Sequence, residues 1–262
     1  MKIGFIGYGN MAKAMARSMK KLHKYTLMAS APSLVSGINK DNIQTFNDNA
    51  QLAKFADVII LAVKPAHMKT VVQEITPFLK QNALIISIAA GISLHWLANH
   101  FNKEQAIIRC MPNTPASIGM AATPMIANNA VQQAQKQVAE ELLSTIGITT
   151  WASTEDEIDT FTAFSGSGPA YVFLFLESLV HAAVELGLSP QIAKAFALQT
   201  CLGSTQLALQ SSLELNQLRN KVTSPGGTTA AALAHLENHL TELIMNAMRA
   251  AKQRAHELGE SS

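Results

Sequence analysis

The chain has 262 residues, of which 48% are hydrophobic and 15% charged, and its formal net charge is +2. That is enough apolar material for one large domain or two modest ones, so the chain is expected to fold around its own core. With so small a charge and no block of lysines or arginines, the electrostatic footprint of a nucleic-acid or anionic-membrane binder is missing.

The opening residues "MKIGFIGYGN" carry glycines where a secretory signal would keep an apolar run and a small-residue cleavage site. Cys110 and Cys201 stand far apart in apolar surroundings, which suits reduced thiols better than a disulfide framework. Both features lead to the expectation of a cytoplasmic protein. From there to Trp151, short β-rich runs alternate with helical patterns: "KIGFIG", "YTLMAS", "DVIILAV", "ALIISIA", "AIIRCM" and "GITTW". Several runs are apolar at every position, as strands covered on both faces of a parallel sheet must be. The pattern predicts a doubly wound α/β domain over residues 1–152. Beyond it the β-branched runs stop, and alanine- and leucine-rich stretches predict an all-helical domain over 153–262.

The first strand runs into Gly7-Tyr8-Gly9-Asn10-Met11-Ala12 and then "MAKAMARSM", a G-x-G-x-x-A match in the strand–turn–helix context of a Rossmann-type dinucleotide site. The first glycine permits the turn, and the second lets a pyrophosphate approach the backbone. Ala12 lets helix and strand pack closely, and the helix N-terminus offers amides to the phosphates. At the end of the second strand an NAD-selective site commonly places an Asp or Glu on the ribose. Here stand Ser30, Ala31, Pro32 and Ser33, with neither a carboxylate nor an arginine. NADP(H) is therefore expected over NAD(H), with NAD(H) still open. "LAVKP" (61–65) and "SIAAG" (87–91) are expected to line the cofactor, because ligands in such sheets lie beyond the carboxyl ends of the strands.

Further on, "RCMPNTP" (109–115) brackets Asn113 and Thr114 with prolines, fixing an extended polar loop, and "SGSGPAY" (165–171) runs two serines and two glycines into a helix begun by Pro169. Gly187 and Ser189-Pro190 read as the end of one helix and the start of the next. The apolar stretch from Pro169 to Leu188 carries Glu177, His181 and Glu185, which a bilayer centre tolerates only at appreciable cost, so it is read as a buried helix with a polar seam at a subunit contact. His235 and His239 form an i, i+4 pair within a helical pattern, but two ligands do not make a metal centre and none is expected.

"VTSPGGTT" (222–229) completes a set with "GFIGYGNMA", "AVKP", "AAG", "MPNTP" and "SGSGPAY". In order and spacing the set resembles pyrroline-5-carboxylate reductase nearly from end to end, and the last two motifs carry most of the resemblance. It implies reduction of L-1-pyrroline-5-carboxylate to L-proline with NAD(P)H, the last step of proline synthesis. It also implies that the helical domain serves substrate binding and dimerisation, with dimers that assemble into decamers. Carried over by position, the backbone amides of Gly226, Gly227 and Thr228 would receive the substrate carboxylate, and the Thr229 hydroxyl would bond the ring nitrogen, with Val222 and Ser224 completing that loop. The cofactor set would be Ile6, Gly7, Tyr8, Gly9, Asn10, Met11, Ser30, Ser33, Asn49, Ala62, Val63, Lys64, Pro65, Ala89 and Ala90. Two departures stand out: Asn220-Lys221 precedes Val222 where the family often has "DN" or "KN", and the stretch after "MPNTP" has no acidic residue.

Two other readings compete. A β-hydroxyacid-type dehydrogenase shares the two-domain plan, but its catalytic lysine would fall among Tyr171, Val172 and Phe173, and none is there. An NADPH-binding regulator without turnover would keep the N-terminal glycines and have no use for the glycine–threonine loop.

Overall fold

Strands buried on both faces need two apolar layers, and the chain supplies them. The computed structural model describes residues 1–260. The first part runs β1 (Lys2–Ile6), α1 (Asn10–Lys20), β2 (Thr26–Ser30), β3 (Gly37–Ile38), β4 (Gln44–Phe46), α2 (Asn49–Phe55), β5 (Val58–Leu61), α3 (Pro65–Ile75), β6 (Leu84–Ser87), α4 (Leu94–His100), β7 (Ala106–Cys110), β8 (Ala121–Ala127), α5 (Gln133–Ser144) and β9 (Gly147–Trp151). These strands form one sheet in the order β3-β4-β2-β1-β5-β6-β7-β8-β9. From β4 through β7 every pairing is parallel, whereas β3 and β8 run antiparallel to β4 and β7, and β9 runs parallel to β8.

The period of two sorts the side chains. Ile3, Phe5, Ile60, Ile86 and Ile108 face a layer built with Met15 and Met19 of α1 and Leu142 and Leu143 of α5. Ile6, Ile59, Leu61, Ile85 and Ile107 face the opposite layer with Leu52, Met68, Val72 and Leu97 of α2, α3 and α4. This is why "VIIL" and "LIIS" show no polar alternation. β8 is the long strand that the sequence pattern does not announce. Pro124 lies inside it, and a proline ordinarily demotes a run to an edge or a loop.

After the sheet come α6 (Glu155–Phe161), a π-helical turn at Thr162–Gly166, α7 (Gly168–Glu185), α8 (Pro190–Gln210), α9 (Leu215–Lys221), α10 (Thr228–Leu236) and α11 (Leu240–Glu260). The signals for the α7–α8 joint translate directly: Gly187 has φ +99°, Ser189 Oγ accepts from the Ile192 amide, and Pro190 opens α8. Residues 1–167 with the chain from Ala250 form one compact unit, and Gly168–Arg249 form a second.

The second unit lacks a core of its own. Among its described residues only Ala193 is buried, while Phe173 and Phe196 are 65% and 69% exposed. The expected burial of the stretch from Pro169 to Leu188 is not supplied by its own chain: within one chain it is uncovered, and Glu177, His181 and Glu185 are exposed with it, which leaves the expected seam at a subunit contact open. Apolarity in sequence says that a face needs cover, and it does not say that the same chain provides it. His235 and His239 are likewise not on one helix, since α10 ends at Leu236 and α11 begins at Leu240.

One buried charge cluster joins the sheet to α6. Arg109 on β7 is 4% exposed; its Nη1 pairs with Glu155, and its Nη2 donates to Asp159 Oδ1 at 3.3 Å. Glu155 also accepts from the amide of Leu94 at the start of α4. Removing the arginine leaves Asp159 buried without a counter-charge. Arg109→Met is expected to cost about 3–5 kcal/mol in urea denaturation at fixed protein concentration, and a loss below about 1 kcal/mol would show that the cluster carries little of the fold's stability.

Candidate functional site

The loops after β1, β2, β5, β6 and β7 all emerge from the same edge of the sheet, because those strands run parallel. Ile6, fully buried, ends β1. Gly7 turns with φ +85°, and its amide donates to Ser30 O at 2.8 Å, which ties the turn to the end of β2. A side chain there would be strained and would also meet Ala62 O at 2.6 Å. Tyr8 is buried, and burial raises its phenol pKa.

Gly9 behaves differently. It is the N-cap of α1 and makes no side-chain cap, and a Cβ built on it would find no atom within 4 Å. Open space therefore lies against a helix N-terminus, with the amides of Asn10 and Met11 in its first turn and Ala12 packed tightly beneath. Such a cradle fits a pyrophosphate.

The rest of the cofactor set falls around this edge. Ala62, Val63 and Lys64 follow β5, and Pro65 opens α3. Ala89 is buried and Ala90 exposed in the loop after β6. Ser30 is fully buried, and its hydroxyl donates to Asn49 Oδ1 at 2.8 Å, so it orients Asn49 at the start of α2; Ser33 is exposed. Asn49 in turn donates to Glu74 Oε2 at 2.8 Å. Glu74 was not singled out in the sequence, and its placement beside Asn49, 25 residues away, depends on how α2 and α3 pack. Next to the ligand edge, burial pushes the Cys110 thiol up to about 12, which leaves it protonated and chemically quiet.

The second unit carries the other constellation. Ser224 O accepts from Gly227 N at 3.0 Å, with Pro225 and Gly226 between them and Gly226 at φ +71°. Proline followed by a left-handed glycine is the pattern of a type II turn. A Cβ on Gly226 would meet nothing, whereas one on Gly227 would meet Ser224 Oγ at 2.4 Å. Gly227 is then the N-cap of α10, again without a side-chain cap. Thr228 and Thr229 occupy its first turn, where amides have no intrahelical acceptor. The Gly227 amide also closes the turn, and the helix start leaves the amides of Thr228 and Thr229 without an intrahelical acceptor. Val222 and Ser224 are exposed on the approach to the turn.

Nothing in this arrangement resembles a metal centre, and among the described residues no group of three or more His, Cys, Asp or Glu side chains could hold an ion. What the loops offer is one helix N-terminus shaped for a pyrophosphate and another, with two threonines, shaped for a small anion.

Comparison with known proteins bears on both. Residues 155–258 match the family model described as pyrroline-5-carboxylate reductase dimerisation, and residues 2–91 match the one described as NADP oxidoreductase, coenzyme F420-dependent. The pyrroline-5-carboxylate reductase of Pseudomonas aeruginosa is 41% identical over 99% of this chain and 97% of its own length. Among solved structures, a pyrroline-5-carboxylate reductase from Coxiella burnetii superposes with a TM-score of 0.91 at 39% identity, covering 98% of this chain and 97% of the other. The Plasmodium falciparum pyrroline carboxylate reductase, solved with NADP bound, gives a TM-score of 0.88 at 34% identity, covering 99% of this chain and 98% of the other. With identity of this degree running through both compact units, the chain belongs to the pyrroline-5-carboxylate reductase family.

Proposed function

We propose that this protein reduces L-1-pyrroline-5-carboxylate to L-proline with a nicotinamide dinucleotide, closing proline synthesis. The observation that carries the reading is the Ser224–Gly227 turn feeding the N-terminus of α10, a carboxylate-sized nest with Thr229 one residue inside the helix. A dinucleotide-binding sensor without turnover would have no use for it. The division of labour follows the change of sequence pattern, with residues 1–152 holding the dinucleotide and 153–262 serving substrate binding and dimerisation. The dimerisation match beginning at residue 155 supports that division.

When bound, the dinucleotide supplies a hydride to the carbon of the substrate's C=N bond. The chain's own task is to hold and orient. Gly9 and the first amides of α1 receive the pyrophosphate, and the loops at Ala62–Pro65 and Ala89–Ala90 line the same edge. In the second unit the amides of Gly226 and Thr228 receive the ring carboxylate, while Thr229 donates its hydroxyl toward the ring nitrogen. As hydride adds to carbon, the π pair of C=N moves to nitrogen, so a proton or hydrogen bond there keeps negative charge from building up. A threonine hydroxyl is too weak an acid to protonate a free imine near neutral pH. Thr229 is therefore an orienting donor, and the substrate arrives protonated or takes its proton from water.

NADP(H) is favoured over NAD(H): residues 30–33 present no carboxylate to repel a 2′-phosphate, and a relative was solved with NADP bound. The helical run Glu155–Glu185 is apolar and long enough to cross a membrane by composition alone. We read its uncovered face instead as a subunit interface in a cytoplasmic homodimer, from which decamers are built. The support is the dimerisation match and the want of a core in the second unit.

Purified protein is expected to oxidise NADPH when pyrroline-5-carboxylate is added and to release proline; intact NADPH binding without turnover would sink the reductase reading, and the NADPH to NADH rate ratio measures the cofactor preference. Thr229→Val should lower kcat by about tenfold or more with the NADPH Kd within about threefold, because it removes a donor at the ring nitrogen only. Unchanged steady-state kinetics would take Thr229 out of the mechanism. Gly9→Val fills the cradle and should abolish NADPH binding in a protein that still folds by circular dichroism; normal titration would count against the cradle. Finally, the melting temperature should rise with protein concentration, since cover for α7 and α8 comes from another copy, and a Tm constant over about a hundredfold dilution would contradict the dimer.

A further inference from the structure

Asn113 lies at the N-cap of a short 3-10 turn (Thr114–Ile118), a position where asparagine usually bonds the next amides along the chain. It makes no such cap. Instead both ends of its buried amide reach elements far away in sequence or across the loop: Nδ2 donates to Ser165 O at 2.9 Å, and Oδ1 accepts from the Ala122 amide at 3.0 Å. A backbone carbonyl on one side and a backbone N–H on the other allow only one orientation of that amide.

The carbonyl it serves has a particular need. Ser165 lies in the π-helical turn Thr162–Gly166, closed by the Ser167 amide on Thr162 O at 2.8 Å. In an α-helix the carbonyl of residue 165 would take the N–H of residue 169, which is proline and has none. Asn113 supplies a donor to a carbonyl that Pro169 deprives of its α-helical partner. A side chain outside the helix thus stabilises the widened turn, and π-turns recur at functional sites.

The location gives this a consequence. Met111 to Asn113 continue β7 past the carboxyl edge of the sheet, the edge also reached by Gly7, Ala62 and Ala89. The Met111 side chain lies over Gly166, with Cε 3.5 Å from where a Cβ would stand. We propose that Asn113 is a positioning residue for the reduction, and that its amide fixes the Thr162–Gly166 turn at the ligand-facing edge of the sheet. The assignment rests on the reductase reading for its catalytic half, and on the chain's own hydrogen bonds for the rest.

Three variants test it: Asn113→Ala, Asn113→Asp and the double variant Asn113→Asp with Pro169→Ala. In the cofactor-free protein, amide hydrogen exchange across residues 162–167 should speed up about tenfold or more in Asn113→Ala, with exchange in the central strands β1 and β5 unchanged. In turnover, kcat should fall by about tenfold to a hundredfold while the NADPH Kd stays within about threefold. Asn113→Asp keeps the acceptor for Ala122 and loses the donor to Ser165, but its protonated carboxyl can donate again. Its activity relative to wild type should therefore climb as pH falls, and the added Pro169→Ala, which returns an N–H at residue 169, should recover part of the lost kcat at neutral pH. Unchanged exchange over 162–167 would overturn the proposal outright. Faster exchange with unchanged kcat would leave the amide as a structural tie and overturn the positioning role. A wild type inert toward pyrroline-5-carboxylate would remove the reductase reading, and the exchange comparison would still decide whether Asn113 holds the turn.

Discussion

Parallel pairing of β2, β1, β5, β6 and β7 is the constraint from which the rest of the first unit follows. Parallel strands must all end on one side, so five loops far apart in sequence are delivered to one edge without any contact being built for that purpose. The same pairing forces both faces of the sheet to be covered, which is why helices lie on each side and the strands are apolar throughout. Gly7 then fits because the edge is crowded, with the backbone of Ala62 against it. Gly9 fits because the space beside it is open. Two glycines separated by one residue thus answer opposite steric demands.

The second unit shows the complementary case, in which the constraint is unmet within one chain. Its helices α7 and α8 carry large apolar side chains, and among its described residues a single alanine is buried. Helices of this kind draw their stability from packed faces more than from propensity. A face left uncovered by its own chain is an instruction to associate. The turn that opens α10 is held in this same unit.

Two groups of polar side chains are satisfied in sets. Arg109 takes two carboxylates, and Glu155 answers both the arginine and the Leu94 amide, so the junction between β7, α4 and α6 is fixed by charge as well as by packing. Ser30, Asn49 and Glu74 form a second chain of donors and acceptors, at the end of β2. Because each buried donor or acceptor is costly to leave unpaired, these sets restrict how far their loops can move.

Much of this was legible in the sequence by itself. Strand runs, the glycine turn, the glycine and Ser-Pro signals at the α7–α8 joint and the 222–229 loop all depend on local backbone preferences, and local preferences are written residue by residue. β8 escaped because Pro124 contradicts the local rule for a strand, and only pairing with β7 and β9 overrides it. Hydropathy shows that the α7 face needs cover, and within one chain that cover is missing. His235 and His239 read as one helical pair until the break at 237–239 separated them. Apart from Ala122, which is 9 residues from Asn113, the side-chain partners of Ser30, Arg109 and Asn113 lie 19 to 52 residues away. No spacing rule reaches that far. Residue order by itself was enough for most strands, helices and glycine turns, since those are set by steric limits within a few residues. Which buried polar groups meet emerges only on folding, because such pairings depend on the packing of whole elements against one another.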